Sequence, residues 1–357
     1  MSRTTLDVGP CIIGINSRVK DINMWLQDGS TDVRVRAISG MGGIGKTTIA
    51  KFVYNQNFDS FDGSSFLANI KEASEQPKGL LCLQTQLLSD ISKREHRKIH
   101  NHHVGLTEIR NLVFTKRVLL VLDDVEEVDP IYDILGSPDW LFRGSKVIIT
   151  TRHEGMLQRH QTLKVEKLGQ GESIKLFSLK AFKEDFPPES YTEHTNRAVQ
   201  ICGGLPLALK VIGSSLSRKR EDEWVHELSK LESIPQREIL EKLKISYESL
   251  QDDHDKSLFL DIACFFVGSD KDYAIKILEK RVPFVKIRIR NLIDRCLLTI
   301  DFDMELTMHR LIQDMGREII QEESCEAGER SRLWHHQDAF DVLENETVRN
   351  ISFVCVS

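Results

Sequence analysis

The first half of the chain breaks into short apolar runs separated by stretches of helical period. VRVRAIS (33–39) alternates apolar and polar positions as a half-buried strand does, and SFLANI (65–70) reads as a second strand. RVLLVLDD (117–124) is a continuous apolar run of the kind a buried parallel strand needs, and GSKVIITTR (144–152) and Thr162–Glu166 add two more. Between these runs, Leu80, Leu83, Leu87 and Leu88 share one helical face, and Val19, Ile22 and Leu26 recur at helical spacing ahead of the first strand. Strands interleaved with helices predict a parallel sheet with helices on its faces.

LGQGES marks a boundary near Gly169–Gly171, and past it the pattern is helical. Ile174, Phe177 and Ala181 share a face, Pro187 and Pro188 break the chain, and a helix from about Glu193 ends at Gly203 and Gly204. Pro206 then fits the first turn of a new helix, where its missing N–H costs nothing and its rigid ring can pack on a flat base such as adenine or simply start the helix. From about Gln236 helical faces resume in Leu240, Leu243, Tyr247 and Leu250, then Leu258, Ile262 and Phe265, then Ile289, Leu292 and Cys296. Leu297–Ile300 and Glu305–Met308 flank Asp301, Phe302 and Asp303 as a hairpin, and Leu311, Ile312, Met315 and Ile319 start another helix. Helices with a terminal hairpin predict a winged-helix domain; the tail from Glu322, with ERSRLW and a second apolar pattern near Val342 and Leu343, reads as a connector.

Composition narrows this picture. At 357 residues, 40% apolar and 29% charged, the chain is an ordinary globular protein of two to three domains. A formal charge of −6 does not suggest a protein held mainly by nucleic-acid phosphates, although a local basic face is compatible with it. Seven scattered cysteines form no Cys-x-x-Cys pair, which argues for a reducing compartment without a disulfide framework or zinc site. No apolar run approaches a membrane span and no signal peptide opens the chain, so the expected location is intracellular.

The chemistry concentrates where the first strand ends. GMGGIGKTT matches Gly-x-x-x-x-Gly-Lys-Ser/Thr from Gly40 to Thr47, between a strand and a helix, and reads as a phosphate-binding loop. Gly40, Gly42, Gly43 and Gly45 permit positive φ and let successive N–H groups face one anion, with the helix's positive end behind them. Lys46 then reaches the β and γ phosphates and the Thr47 hydroxyl holds magnesium. Asp123, at the carboxyl end of a buried strand, is placed to hold magnesium through water, the alternative being that it and Asp124 only cap the strand. Asp124 stands where vigorous ATPases of this kind often carry glutamate; one methylene shorter, it predicts slow hydrolysis. Arg152 closes another strand beside the phosphate site and can sense a γ-phosphate or stand as an ordinary surface arginine. His309 sits where the last hairpin strand gives way to a helix and is placed to donate to a phosphate or to serve structure alone. The segment CIIGINSRV can lie against the base or only cover the sheet edge. His96, His100, His102 and His103 invite a metal reading, but no acidic or cysteine partner is near in sequence, so a solvated loop stands against it.

The motifs GMGGIGKTT, FLANIKEAS, LLVLDDVEE, GSKVIITTR, GLPLAL, FLDIACFF, the Met-His of MHRLIQDMGREI and ERSRLW, in this order, resemble the NB-ARC region of plant intracellular immune receptors. The class is the one with an N-terminal TIR domain and C-terminal leucine-rich repeats; Glu126 after LDDV, where the coiled-coil class usually has tryptophan, and the FLDIACFF block are its marks. The family is similar to animal apoptotic protease-activating factors.

The resemblance implies an α/β P-loop NTPase domain (1–168), an all-α helical bundle (169–235), a winged-helix domain (236–322) and a linker toward leucine-rich repeats (323–357). It implies an ADP/ATP-dependent switch with Mg2+, ADP-held at rest, weakly hydrolytic, and self-associating on activation. Gly40, Gly42, Gly43, Ile44, Gly45, Lys46, Thr47 and Thr48 would then hold phosphate, with Thr47 and Asp123 on the metal, and Asp124 on water. Arg152 would sense the γ-phosphate, Ile13 and Pro206 would touch adenine, and His309 would grip the β-phosphate of ADP. TIR and repeat domains would lie outside the chain, making it a fragment or a truncated product of a cytoplasmic or nucleocytoplasmic receptor for a pathogen effector or a guarded host protein. The family's Met-His-Asp is Met308-His309-Arg310 here, a charge reversal expected either to weaken the ADP-held state or to point into solvent. Two other classes compete: a winged-helix DNA-binding regulator using the basic Lys286, Arg288, Arg290 and Arg295, and an ordinary turnover ATPase or kinase.

Overall fold

The apolar runs of the first half form one parallel sheet of β1 (Arg34–Ser39), β2 (Gly63–Leu67), β3 (Val118–Leu122), β4 (Lys146–Thr151) and β5 (Gln161–Lys164), in the order β2-β3-β4-β1-β5. The structure, a computed structural model, describes residues 5–10, 12–76, 78–92, 99–152, 161–232, 239–248, 250, 252–345 and 353–354. The chain divides into two units, Met1–Lys167 and Leu168–Ser357, each described by itself.

In the first unit, α1 (Ile15–Leu26) precedes the sheet and α2 (Lys46–Asn57) follows β1. Helices α3 (Ile70–Glu75), α4 (Gly79–Ser92) and α5 (His102–Val113) connect β2 to β3, and α6 (Asp129–Leu135) connects β3 to β4. Residues Val118 to Leu122 are buried throughout, as a central strand covered on both faces requires. Helix α2 buries Ile49, Ala50, Val53, Tyr54 and Asn57, a stripe of helical period laid on the sheet. The strand expected over SFLANI is shifted: β2 ends at Leu67, Asn69 takes φ 51 and Ile70 opens a helix. Asparagine tolerates the left-handed region, so the apolar Ile70 enters the core from a helix instead of a strand.

The second unit opens on α7 (Gln170–Ala181), α8 (Thr192–Cys202), α9 (Pro206–Leu216) and α10 (Glu221–Glu232). Gly203 ends α8 at φ 57, Gly204 follows at φ 72, and Pro206 occupies the first turn of α9. Trp224, fully buried, donates its Nε1–H to the Leu216 carbonyl at 2.9 Å and stacks on Phe182. Next come α11 (Ile239–Glu248), α12 (Asp253–Asp261), α13 (Lys271–Leu278) and α14 (Val285–Asp294). An antiparallel pair, β6 (Thr299–Ile300) and β7 (Leu306–Thr307), precedes α15 (Arg310–Gln321). Asp301 holds the hairpin turn by accepting the N–H groups of Asp303 and Glu305. The residues ahead of α11, where the helical pattern was expected to resume near Gln236, lie outside the described residues.

FLDIACFF widens from α12 into a π turn over Ile262–Phe266, and the buried Gln313 of α15 donates to the Ala263 carbonyl at 3.0 Å. At this crossing Gly316 admits close packing: a Cβ there would meet Ala263 Cβ at 2.9 Å and Phe259 Cε1 at 3.1 Å. Gly316→Ala is therefore expected to destabilise the second unit by about 1–3 kcal/mol, although alanine is the better helix former. Urea unfolding checks this.

The described residues beyond α15 include further elements. Strand β8 (Arg332–Leu333) pairs in parallel with β9 (Phe353–Val354), and α16 (His336–Glu344) brings Ala339 and Val342 against Leu333. Arg332 reaches into the helical core, with Nε 2.6 Å from Asp261 Oδ1 and Nη2 bonded to both the carbonyl and hydroxyl oxygens of Ser257. Among the described residues no helix is long and apolar enough to cross a membrane.

Candidate nucleotide-binding site

Strand register assembles the site in the first unit. Ser39 pairs with Thr151 and Leu122 with Ile149, so one step further along the sheet Gly40 comes level with Arg152 and Asp123 with Thr150. Because β4 lies between β1 and β3, the glycine loop, the acidic pair and the arginine emerge side by side at the carboxyl edge.

Gly40, Gly43 and Gly45 take φ of 152, 76 and 99 and wrap the chain into the N-terminus of α2. Gly42 is not in the left-handed region, so the expectation of positive φ holds for three of the four glycines. A Cβ on Gly40 would stand 3.2 Å from Ile44 Cγ2. The Ile44 side chain is buried, and its N–H makes a turn to the Met41 carbonyl at 3.4 Å, so this residue shapes the loop by packing. Thr48 is half-buried in the first turn of α2.

Lys46 is 8% exposed, and its Nζ donates to the carbonyls of Gly40 (2.8 Å) and Met41 (3.1 Å). Burial, with the nearby Arg152 charge, lowers its pKa to about 8 despite the opposing pull of Asp124 and Asp123. A cation held against carbonyl dipoles at a helix N-terminus is matched to an anion.

The Thr47 hydroxyl donates to Asp123, 3.0 Å from Oδ1 and 3.1 Å from Oδ2. Thr150 Oγ1 donates to the same Oδ1 at 2.6 Å. Burial raises the Asp123 pKa, and the bonds from Thr150 and Thr47 oppose that rise. A carboxylate and a hydroxyl are hard oxygen donors of the kind magnesium takes, and the donor proton of Thr47 already points at Asp123, leaving its lone pairs for a cation. These residues fit the metal the fold implies.

Asp124 sits at φ 56, with its N–H on Thr150 Oγ1 at 2.9 Å and its carboxylate 3.7 Å from Arg152 Nε. The N–H groups of Ile70 and Lys71 donate to the Asp123 and Asp124 carbonyls, and Lys71 pairs with Glu126 at 2.5 Å. FLANIK thus clasps the acidic loop, which sequence spacing did not reveal because two of the contacts run through backbone groups and the third joins side chains far apart in sequence. Ile13 is half-buried ahead of α1; beyond it, Arg18 ties the Gly14 carbonyl to that of Lys167 after β5.

The remaining expected residues belong to the second unit. Pro206 is half-buried at the start of α9. His309 is exposed at the N-cap of α15, where its Nδ1 accepts the Leu311 N–H at 3.1 Å. Nε2 is then the nitrogen that carries the proton in the neutral ring. Arg310 does not extend into solvent: its side chain is 21% exposed, with Nε 3.8 Å from Asp314 one turn on. Of the four basic residues behind the DNA reading, Arg288 is held between Asp252 and Asp255 at 2.8 and 2.6 Å, and Arg295 is substantially desolvated. Only Lys286 and Arg290 present exposed side chains. His96 lies outside the described residues; His102 meets Gln84 and Asp133, and no metal-binding group of three is present among the described residues.

The glycine loop, the acidic strand end and the sheet define a P-loop nucleotide-binding domain, followed here by a helical bundle and a winged helix. The NB-ARC domain family matches residues 15–186, and the family "Disease resistance protein Roq1-like, winged-helix domain" matches residues 252–324. Disease resistance protein RPV1 of Vitis rotundifolia is 44% identical over 92% of this chain and 24% of its own length. TMV resistance protein N of Nicotiana glutinosa is 38% identical over 94% of this chain and 30% of its own length. The chain belongs to the NB-ARC family of plant disease-resistance proteins. It spans about a quarter to a third of the length of these relatives. The fold is shared with a Signal Transduction ATPase with Numerous Domains (STAND) protein carrying a tetratricopeptide repeat sensor from Pyrococcus horikoshii, at TM-score 0.54 and 17% identity over 96% of this chain and 47% of that one.

Proposed function

We propose that this chain is the ADP/ATP-dependent switch of an intracellular plant immune receptor, with ADP held at rest, ATP in the active state and hydrolysis slow enough to time the return. The observation that carries the reading is the coupling of Asp124 to Arg152, 3.7 Å apart. The residue placed to polarise water is a short carboxylate tied to a cation, an arrangement better suited to registering a γ-phosphate than to rapid turnover. Magnesium, when bound, would supply charge neutralisation between the phosphates; Thr47 and Asp123 would hold it. Lys46 binds and orients the phosphates, and the N-terminus of α2 supplies N–H donors behind them.

Pro206 and His309 are assigned to adenine and to the β-phosphate of ADP on the resemblance. The Nε2–H tautomer set by Leu311 supports His309 as a donor. Self-association on activation, and TIR and repeat domains elsewhere in the receptor, complete the proposal. The pairing of Arg288 with two aspartates supports the switch over the DNA-binding alternative.

Titration with a fluorescent ADP, competed by ADP, ATP and GTP, tests the reading. Saturable binding displaced by adenine nucleotides and not by GTP is expected; no saturable binding overturns it. Arg310 gives a second test. If it weakens the ADP-held state, Arg310→Asp retains more ADP through purification than the native chain, read by chromatography of the released nucleotide. Equal content shows that its contact with Asp314 has no bearing on retention.

A further inference from the structure

Thr150 is 1% exposed, follows the apolar Val147, Ile148 and Ile149 of its strand, and donates its hydroxyl to a carboxylate rather than to solvent or a backbone carbonyl. A hydroxyl has one donor and two acceptor positions. Here the donor is spent on Asp123 Oδ1 at 2.6 Å and an acceptor position on the Asp124 N–H at 2.9 Å. One side chain therefore touches both members of the acidic pair, and the register that places Thr150 level with Asp123 makes this a property of the sheet.

Each contact fixes something different. On Asp123, the bond selects one rotation of the carboxylate, with Thr47 Oγ1 3.0 and 3.1 Å from its two oxygens. On Asp124, the bond holds a non-glycine residue at φ 56, a sparsely populated conformation that persists only where its surroundings dictate it. The Lys71 N–H on the Asp124 carbonyl, 3.2 Å away, holds the other side of the same residue. The direction of the Asp124 side chain toward Arg152 follows from that backbone.

We infer that Thr150 is a positioning residue that sets the geometry of the metal-holding Asp123 and the water-holding Asp124 together, so that metal binding and γ-phosphate sensing depend on a single hydroxyl. The inference rests on the nucleotide reading for its consequences, and on the two hydrogen bonds of Thr150 for its cause.

The test compares Thr150→Val, which keeps the β-branched shape suited to a strand, with Thr150→Ser, which keeps the hydroxyl. In native protein, ADP and ATP bind more tightly with Mg2+ than in EDTA; in Thr150→Val that enhancement falls by about tenfold while binding in EDTA is unchanged, and Thr150→Ser restores it. A purely structural role would weaken both conditions alike. Amide hydrogen exchange at Asp124 in the ligand-free protein supplies an independent readout, expected to quicken by about tenfold in Thr150→Val and not in Thr150→Ser. Native-like Mg2+ enhancement in Thr150→Val, equal defects in both variants, or unchanged Asp124 exchange overturns the inference. If native protein binds no nucleotide, the nucleotide reading fails, and the exchange measurement still decides whether Thr150 positions the acidic pair.

Discussion

Arg332→Ala should lower the stability of the second unit by about 3–5 kcal/mol. Asp261 is fully buried and Arg332 is 5% exposed, so removing the guanidinium strands a carboxylate that water cannot reach. The Ser257 carbonyl and hydroxyl lose their donor at the same time. Leaving one partner of a buried pair uncompensated costs far more than the pair itself contributes. Replacing both partners, Arg332→Met with Asp261→Leu, is therefore expected to recover most of the loss. Chemical denaturation of the three proteins checks this, and a double variant as weak as Arg332→Ala would show that the guanidinium acts by packing.

Lys46→Met should cost about two orders of magnitude in nucleotide affinity, the worth of a charge-assisted bond to phosphate, while making the ligand-free protein more stable by about 1–2 kcal/mol. Folding lowers the pKa of Lys46 from 10.5 to about 8, so below pH 8 the folded protein carries a charge that burial and Arg152 disfavour. That penalty is about 3–4 kcal/mol at most, and it is offset in part in the variant by the loss of donors to the Gly40 and Met41 carbonyls. The sign follows from proton binding. Between about pH 8 and 10.5 the unfolded chain binds more protons at this residue than the folded one, so native stability rises with pH across that window. The difference between native and Lys46→Met protein, measured by denaturation at pH 7 and at pH 10, should shrink accordingly. Equal differences at both values would show that the charge is not penalised.

The parts of the site that lie within one motif were legible from the chain. Glycines before a Lys-Thr pair, and two aspartates closing an apolar run, declare their chemistry because phosphate and metal binding restrict residue types at fixed spacing. The sheet and its following helices were legible for a similar reason, since a doubly covered strand must be apolar throughout, as Val118–Leu122 is. What escaped was long-range and polar. Thr150 looked like an ordinary strand residue, because β-branched threonine needs no explanation there, and only the register that sets it level with Asp123 gives its hydroxyl a task. Lys71 and Glu126 meet across 55 residues, and Glu126 was legible only as a mark of class. SFLANI misled because Ile70, buried on a helix start, carries the same hydrophobicity as a strand residue. Arg332 stood in a recognisable motif, yet nothing in ERSRLW tells which acid it will meet.

The proposed switch turns on whether the loop from Gly40 to Thr48 retains a nucleotide and what that nucleotide is. The most direct measurement denatures the purified native chain and identifies what it releases, beside Lys46→Ala prepared in the same way. Near-stoichiometric ADP from the native chain and none from Lys46→Ala is the predicted result. An empty native chain, or one that releases as much nucleotide after the lysine is removed, would contradict the switch.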